Sequence, residues 1–131
     1  MKFESDREAL RRAVLTKGQK KFFAGTDSAP HTKKLTECGC AAGCYTGGCA
    51  PQLYAMAFEG AGADLETEQD QELFIRFLSL NGTAFYDFEA SSEAFTLAKR
   101  PSHMETRVTT EGAVVPLPNG LDFEMTWSLE S

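Results

Sequence analysis

All four cysteines of the chain fall in one stretch, Cys38-Gly39-Cys40-Ala41-Ala42-Gly43-Cys44-Tyr45-Thr46-Gly47-Gly48-Cys49-Ala50-Pro51, with four glycines threaded between them. No other feature restricts the fold as strongly. In a reducing compartment, thiols clustered this closely point to metal binding or redox chemistry before a disulfide framework. A tetrahedral zinc ion takes four thiolates at about 2.3 Å. Gly39, Gly43, Gly47 and Gly48 permit the tight wrapping that ligands so close in sequence require. Cys38, Cys40, Cys44 and Cys49 are therefore the expected zinc ligands, with His31 able to replace one thiolate and Lys33 and Lys34 offsetting the surplus negative charge. The stretch contains no C-x-x-C pair, which structural zinc sites generally use.

An iron–sulfur cluster is the second metal reading. Glycine and alanine expose amides to the sulfides, and Pro51 follows closely on Cys49, but neither ferredoxin spacing is present. A third reading is catalytic. Cys49 stands at the start of a helix opened by Pro51, where the dipole lowers a thiol pKa, and Cys44 could resolve an oxidised Cys49. Only His31 and His103 are available as bases, and neither lies beside Cys49 in sequence; His103 reads as a surface residue. Without metal or redox work, the thiols are small hydrophobes in a plain loop.

The rest of the sequence describes a folded domain. At 131 residues, 42% hydrophobic and 24% charged, with ten phenylalanines, the chain can bury one core. The charged opening, Met1 to Asp6, lacks a signal-peptide core, and no apolar run is long enough for a membrane span, so the expected compartment is the cytoplasm. The net charge of −6 is unevenly spread: residues 1–34 carry nine basic and four acidic side chains. The acidic remainder disfavours a nucleic-acid role, except locally through the basic helix 5–21. That face reads best as solvated, or as meeting an acidic protein surface.

In chain order, Lys2 to Glu4 could form a short strand, and Ser5-Asp6-Arg7-Glu8 fits a capping box opening a helix that ends near Gly18. The opening ten residues resemble the first strand and helix of bacterial DNA sliding clamps. The likeness covers barely a tenth of the chain, and such clamps have no cysteine loop after that helix, so no function is carried across. Gly25 to Pro30 reads as a loop. A second helix runs from Pro51, with Leu53, Tyr54, Ala57 and Phe58 on its apolar side, and Gly60 and Gly62 stop it. Asp64 to Gln71 is an acidic connector without calcium-loop spacing.

From Glu72 the period shifts to two. Leu73–Leu80, apolar on both faces, reads as a central strand joined through Asn81-Gly82 to a strand over Thr83–Ala90. Phe95–Lys99 and Met104–Thr110 are further strands. Asn119-Gly120 joins Ala113–Leu117 to Leu121–Leu129, where Leu121, Phe123, Met125, Trp127 and Leu129 share one face.

The expected fold is thus α+β: one domain over 1–131, with a helical and Cys-loop part (1–63) and an antiparallel β part (72–131). Two N-terminal helices pack on a sheet built from two Asn-Gly hairpins. The expected function is a small cytoplasmic binding or assembly module, non-catalytic, with structural zinc in the four-cysteine loop and a protein partner or self-association. The alternatives are a thiol-dependent redox protein using Cys49, and a metal-free homo-oligomeric subunit.

Overall fold

The computed structural model describes residues 3–37 and 39–130. Its elements are α1 (Glu4–Val14), β1 (Leu35–Thr36), β2 (Gly39–Cys40), α2 (Ala50–Glu59), α3 (Glu68–Ile75), a π-helical turn (Arg76–Leu80), α4 (Asn81–Tyr86), β3 (Thr96–Ala98), β4 (Arg107–Thr109), β5 (Gly112–Val114), α5 (Leu117–Leu121) and β6 (Ser128–Glu130). Helices and small sheets coexist, as α+β predicts, but the strands form three two-stranded pieces and no single sheet. The chain divides into two compact units: Met1–Gly25 with Tyr54–Thr96 and Glu130–Ser131, and Thr26–Leu53 with Leu97–Leu129.

The first unit is helical. α1 starts one residue before the expected cap, because Phe3 N–H donates to Asp6 Oδ2 at 3.2 Å; the Ser5 capping box is not used, and Lys2 lies outside the described residues. α2 follows its sequence signals, with Pro51 in the first turn and Gly60 and Gly62 just beyond its end. It presents Tyr54 and Phe58 to Phe74 and Phe77. The rings meet edge-on or tilted, with centroids 5.0 Å apart for Phe58–Phe74, 5.2 Å for Phe58–Phe77 and 5.1 Å for Tyr54–Phe77. Offset and edge-to-face contacts of this kind add about 0.5–1.5 kcal/mol beyond area burial.

The largest departure lies at residues 68–86. Leu73–Leu80 is helical, and Asn81-Gly82 sits inside the same helical run instead of turning a hairpin. Thr67 caps the start by accepting from Asp70 N–H at 3.4 Å, Asp64 N–H donates to Asp70 Oδ2 at 2.8 Å, and Glu72 accepts from Arg76 Nη2 one turn on at 3.0 Å. The acidic connector is therefore a helix start. Buried Phe74 and Phe77 are three residues apart, a helical spacing. Asn81 is 5% exposed and its Nδ2 donates to the Phe22 carbonyl at 3.0 Å. A Cβ on Gly82 would lie 3.2 Å from the Phe23 ring. This Asn-Gly pair supplies a buried amide and room for a ring, two uses that need no turn.

The second unit buries Met125, Trp127, Val114 and Pro116. Phe123, Met125 and Trp127 keep the predicted alternation, but Leu121 and Leu129 are 65% and 48% exposed and only Ser128–Glu130 is strand. Ser102 bridges to Met125, its N–H donating to that carbonyl at 3.0 Å, and its hydroxyl donates to the Trp127 carbonyl at 2.6 Å. A hairpin does form between β4 and β5, in the register Arg107–Val114, Val108–Ala113, Thr109–Gly112. Its two-residue turn is Thr110-Glu111, and Gly112 takes φ 134°. Asn119-Gly120 lies in α5, with Asn119 Nδ2 donating to the Met104 carbonyl at 2.7 Å. Among the described residues, no helix is long and apolar enough to cross a membrane.

Candidate functional site

The cysteine stretch folds as a short β1–β2 hairpin, with Leu35 opposite Cys40 and Thr36 opposite Gly39, and then a bare loop into α2. Cys38 lies outside the described residues. Cys40 and Cys44 are exposed and free, whereas Cys49 is free and fully buried. Burial pushes the Cys49 thiol up, the reverse of the shift expected for a nucleophile at a helix start. The residue does immediately precede α2, and its carbonyl accepts from Leu53 N–H at 3.0 Å. Desolvation outweighs the dipole there. Among the described residues, no three His, Cys, Asp or Glu side chains gather where a metal could sit.

What the loop does hold is the segment Thr26–His31. Ser28 Oγ accepts from both Thr46 N–H at 3.0 Å and Gly47 N–H at 2.8 Å. Ala29 N–H donates to the Cys44 carbonyl at 2.8 Å. His31 Nε2 lies 2.9 Å from the Ala42 carbonyl. A carbonyl only accepts, so Nε2 carries the proton and Nδ1 keeps its lone pair. Lys34 Nζ donates to the carbonyls of Ala41 and Gly43 from the other side. The glycines permit this approach. A Cβ on Gly43, at φ 85°, would stand 2.5 Å from Ala29 Cβ, and one on Gly47 would stand 3.1 Å from Ser28 Oγ. The side-chain-poor composition thus serves backbone packing against residues 28 and 29.

At the head of the braced segment stands Asp27, exposed, with φ 38°. A non-glycine residue in the left-handed region costs about 1–2 kcal/mol. Such conformations persist where the surroundings over-determine them, and they collect at functional sites. Neither ion pair among the described residues, Arg7–Glu4 or Arg76–Glu72, involves this carboxylate. Just before it, within the first unit, Ala24 N–H donates to the Phe77 carbonyl at 2.9 Å and Tyr54 Oη donates to the Gly25 carbonyl at 3.1 Å. Asp27 and His31 are thus an anion and a neutral imidazole presented by a rigid loop. Sequence reasoning passed over Asp27 as part of a connector. The available signal was an apolar run, Phe22-Phe23-Ala24, delivering Thr26, Asp27, Ser28 and His31 at its end. Replacing Ser28 by Ala orphans two amides, and urea titration should show a loss of about 1–3 kcal/mol; an unchanged midpoint would mean water serves them equally well.

A second concavity in this unit, about 530 Å³, is lined by Ser102, Asn119, Asp122, Glu124 and the exposed His103. Ser102 and Asn119 spend their donors on backbone carbonyls within the unit. It holds no braced, strained group comparable to Asp27 apart from Asp122, a left-handed cap on α5.

No family model matches the chain. It is 52% identical over 101 residues to a dihydroorotase of Aromatoleum aromaticum, a match spanning 76% of this chain and 27% of that protein. It is 46% identical over 125 residues to a dihydroorotase of Halorhodospira halophila, spanning 92% of this chain and 33% of that protein. A dihydroorotase of Acaryochloris marina is 41% identical over 132 residues, 98% of this chain and 35% of its own. The chain spans about a third of the length of the curated relatives it matches. Relatives this similar are named for an enzyme, and that overturns the non-catalytic zinc module, its thiol-redox and metal-free alternatives, and the picture of an uncharacterised structural domain. The cysteines gave that reading its weight; in the structure their loop braces the Asp27 segment.

Proposed function

We propose that this chain supplies one third of a dihydroorotase body, the part that carries Asp27 and His31. The observation that carries the reading is the left-handed Asp27, held on a loop fixed by the Ser28, Ala29 and His31 hydrogen bonds, in a chain up to 52% identical to dihydroorotases. Dihydroorotate is a cyclic ureide bearing a carboxylate, and hydrolytic opening of its ring moves a proton from water to the ring nitrogen. A carboxylate fixed in place before substrate arrives is suited to hold that proton between the two steps. The imidazole, with Nε2–H spent on Ala42, offers Nδ1 as an acceptor for a donor group of the substrate.

The structural-zinc expectation narrows in the same reading. The loop offers one carboxylate and one imidazole nitrogen, part of a zinc shell and not a whole one, so the other ligands would come from the remaining two thirds of the body. Zinc bound there would acidify water and polarise the scissile carbonyl. The iron–sulfur alternative has no support, since the exposed Cys40 and Cys44 do not gather with the buried Cys49.

The test is a chimera: the Aromatoleum aromaticum enzyme with its 101 matched residues replaced by those of this chain. Ring opening of dihydroorotate, followed by ultraviolet absorbance, should proceed within about tenfold of the parent kcat/KM, a barrier change of about 1.4 kcal/mol. A chimera that folds and is inert would sink the proposal.

A further inference from the structure

The run from α3 to Phe88 is apolar on more sides than one core can use. Phe74 and Phe77 face the core of the first unit, yet Ile75 is 53% exposed, Leu80 39%, Phe85 70%, Tyr86 58% and Phe88 70%. A helix apolar all round belongs to the interior of a larger body. The exposed rings are contiguous. Phe85 and Tyr86 meet edge-on with centroids 4.9 Å apart, Tyr86 and Phe88 stack at 5.9 Å, and Phe23 supports Phe85 from behind at 5.4 Å. Asp87 adopts a left-handed conformation (φ 55°) between the last two rings, whose planes lie 23° apart. Preassembled aromatic patches of this kind mark interaction surfaces.

The geometry points to one occupant: the remaining two thirds of a dihydroorotase-sized body seats on the Phe85–Tyr86–Phe88 face. This rests on the reading above. The chain matches only 27–35% of its relatives' length, so a corresponding third of those proteins must turn a broad surface toward the rest. The surface so exposed carries former core residues, and this cluster is the aromatic one.

Hydroxyl-radical footprinting with mass spectrometry compares the 131-residue chain with the Aromatoleum chimera. Phe85, Tyr86 and Phe88 should be oxidised rapidly in the chain and about tenfold more slowly in the chimera, in proportion to the surface lost. Equal oxidation in both would overturn the assignment. So would protection in the chain alone that grows with protein concentration, because a second copy would then be the occupant. Protection in a chimera that turns over no substrate would leave this interface standing and remove the catalytic reading instead. A second measurement needs no chimera. In the 131-residue chain, Phe85→Ser combined with Phe88→Ser should move the thermal midpoint by no more than about 2 °C, as for surface positions. A much larger drop would show that the rings complete the unit's own core, and would overturn the proposal.

Discussion

Asp27→Asn in the chimera is expected to lower kcat/KM by about a hundred- to ten-thousandfold, the range for losing a positioned general base. The thermal midpoint should hold within about 2 °C, because asparagine tolerates the left-handed region nearly as well as aspartate. The substitution keeps shape and backbone and removes the charge. Asp27→Gly separates strain from chemistry. Glycine adopts φ 38° freely, so this variant should be more stable by about 0.5–1 kcal/mol and equally inactive. Stability gained as activity is lost is the signature of a residue held in a costly conformation for work. Full activity in both variants would show that the conformation of Asp27 has no catalytic purpose.

Gly43→Ala carries the second large effect. The added Cβ would come 2.5 Å from Ala29 Cβ, backed by main chain on both sides, at a backbone φ of 85°. The left-handed conformation costs about 1–2 kcal/mol for alanine and the overpacking about 1–3 more. A loss of roughly 2–4 kcal/mol corresponds to a melting point lower by more than about 10 °C for a unit of this size. The companion Ala29→Gly should recover the steric part and leave the backbone part, an interaction that a double-mutant cycle measures directly. Gly48→Ala is the control. Its Cβ would meet Met104 Cε at 2.6 Å, but that methyl ends a flexible thioether and can turn away. If Gly43→Ala proves as mild as Gly48→Ala, the two loops do not brace one another.

Much of the fold could be read from local signals. Pro51 and the Gly60–Gly62 pair bounded α2 correctly, and the 123-125-127 alternation located the buried face of the C-terminal segment. The failures share one cause: a residue pattern with two physical uses. Leu73–Leu80 is apolar on every side, which suits an interior strand and an interior helix equally, and only the cap at Thr67 and the Glu72–Arg76 pair decide for the helix. Asn81-Gly82 has the composition of a hairpin turn, but its amide fills a buried hydrogen bond and its missing Cβ admits Phe23. The cysteine stretch is ambiguous in the same way. Glycines that could wrap an ion also let a loop lie flat against residues 28 and 29, and nothing within the stretch distinguishes the two. Asp27 was invisible because its meaning lies in a backbone angle, which no residue type announces.

The π-helical turn at Arg76–Leu80 has a consequence for how this segment can change over time. A widened turn of this type amounts to one extra residue in an α-helix, and each residue advances the helix by about 100°. Deleting a single residue there would regularise the winding and swing everything after it by more than a quarter turn. Asn81 would leave Phe22, and the rings at 85, 86 and 88 would aim elsewhere. The segment can therefore exchange side chains far more readily than it can alter its length.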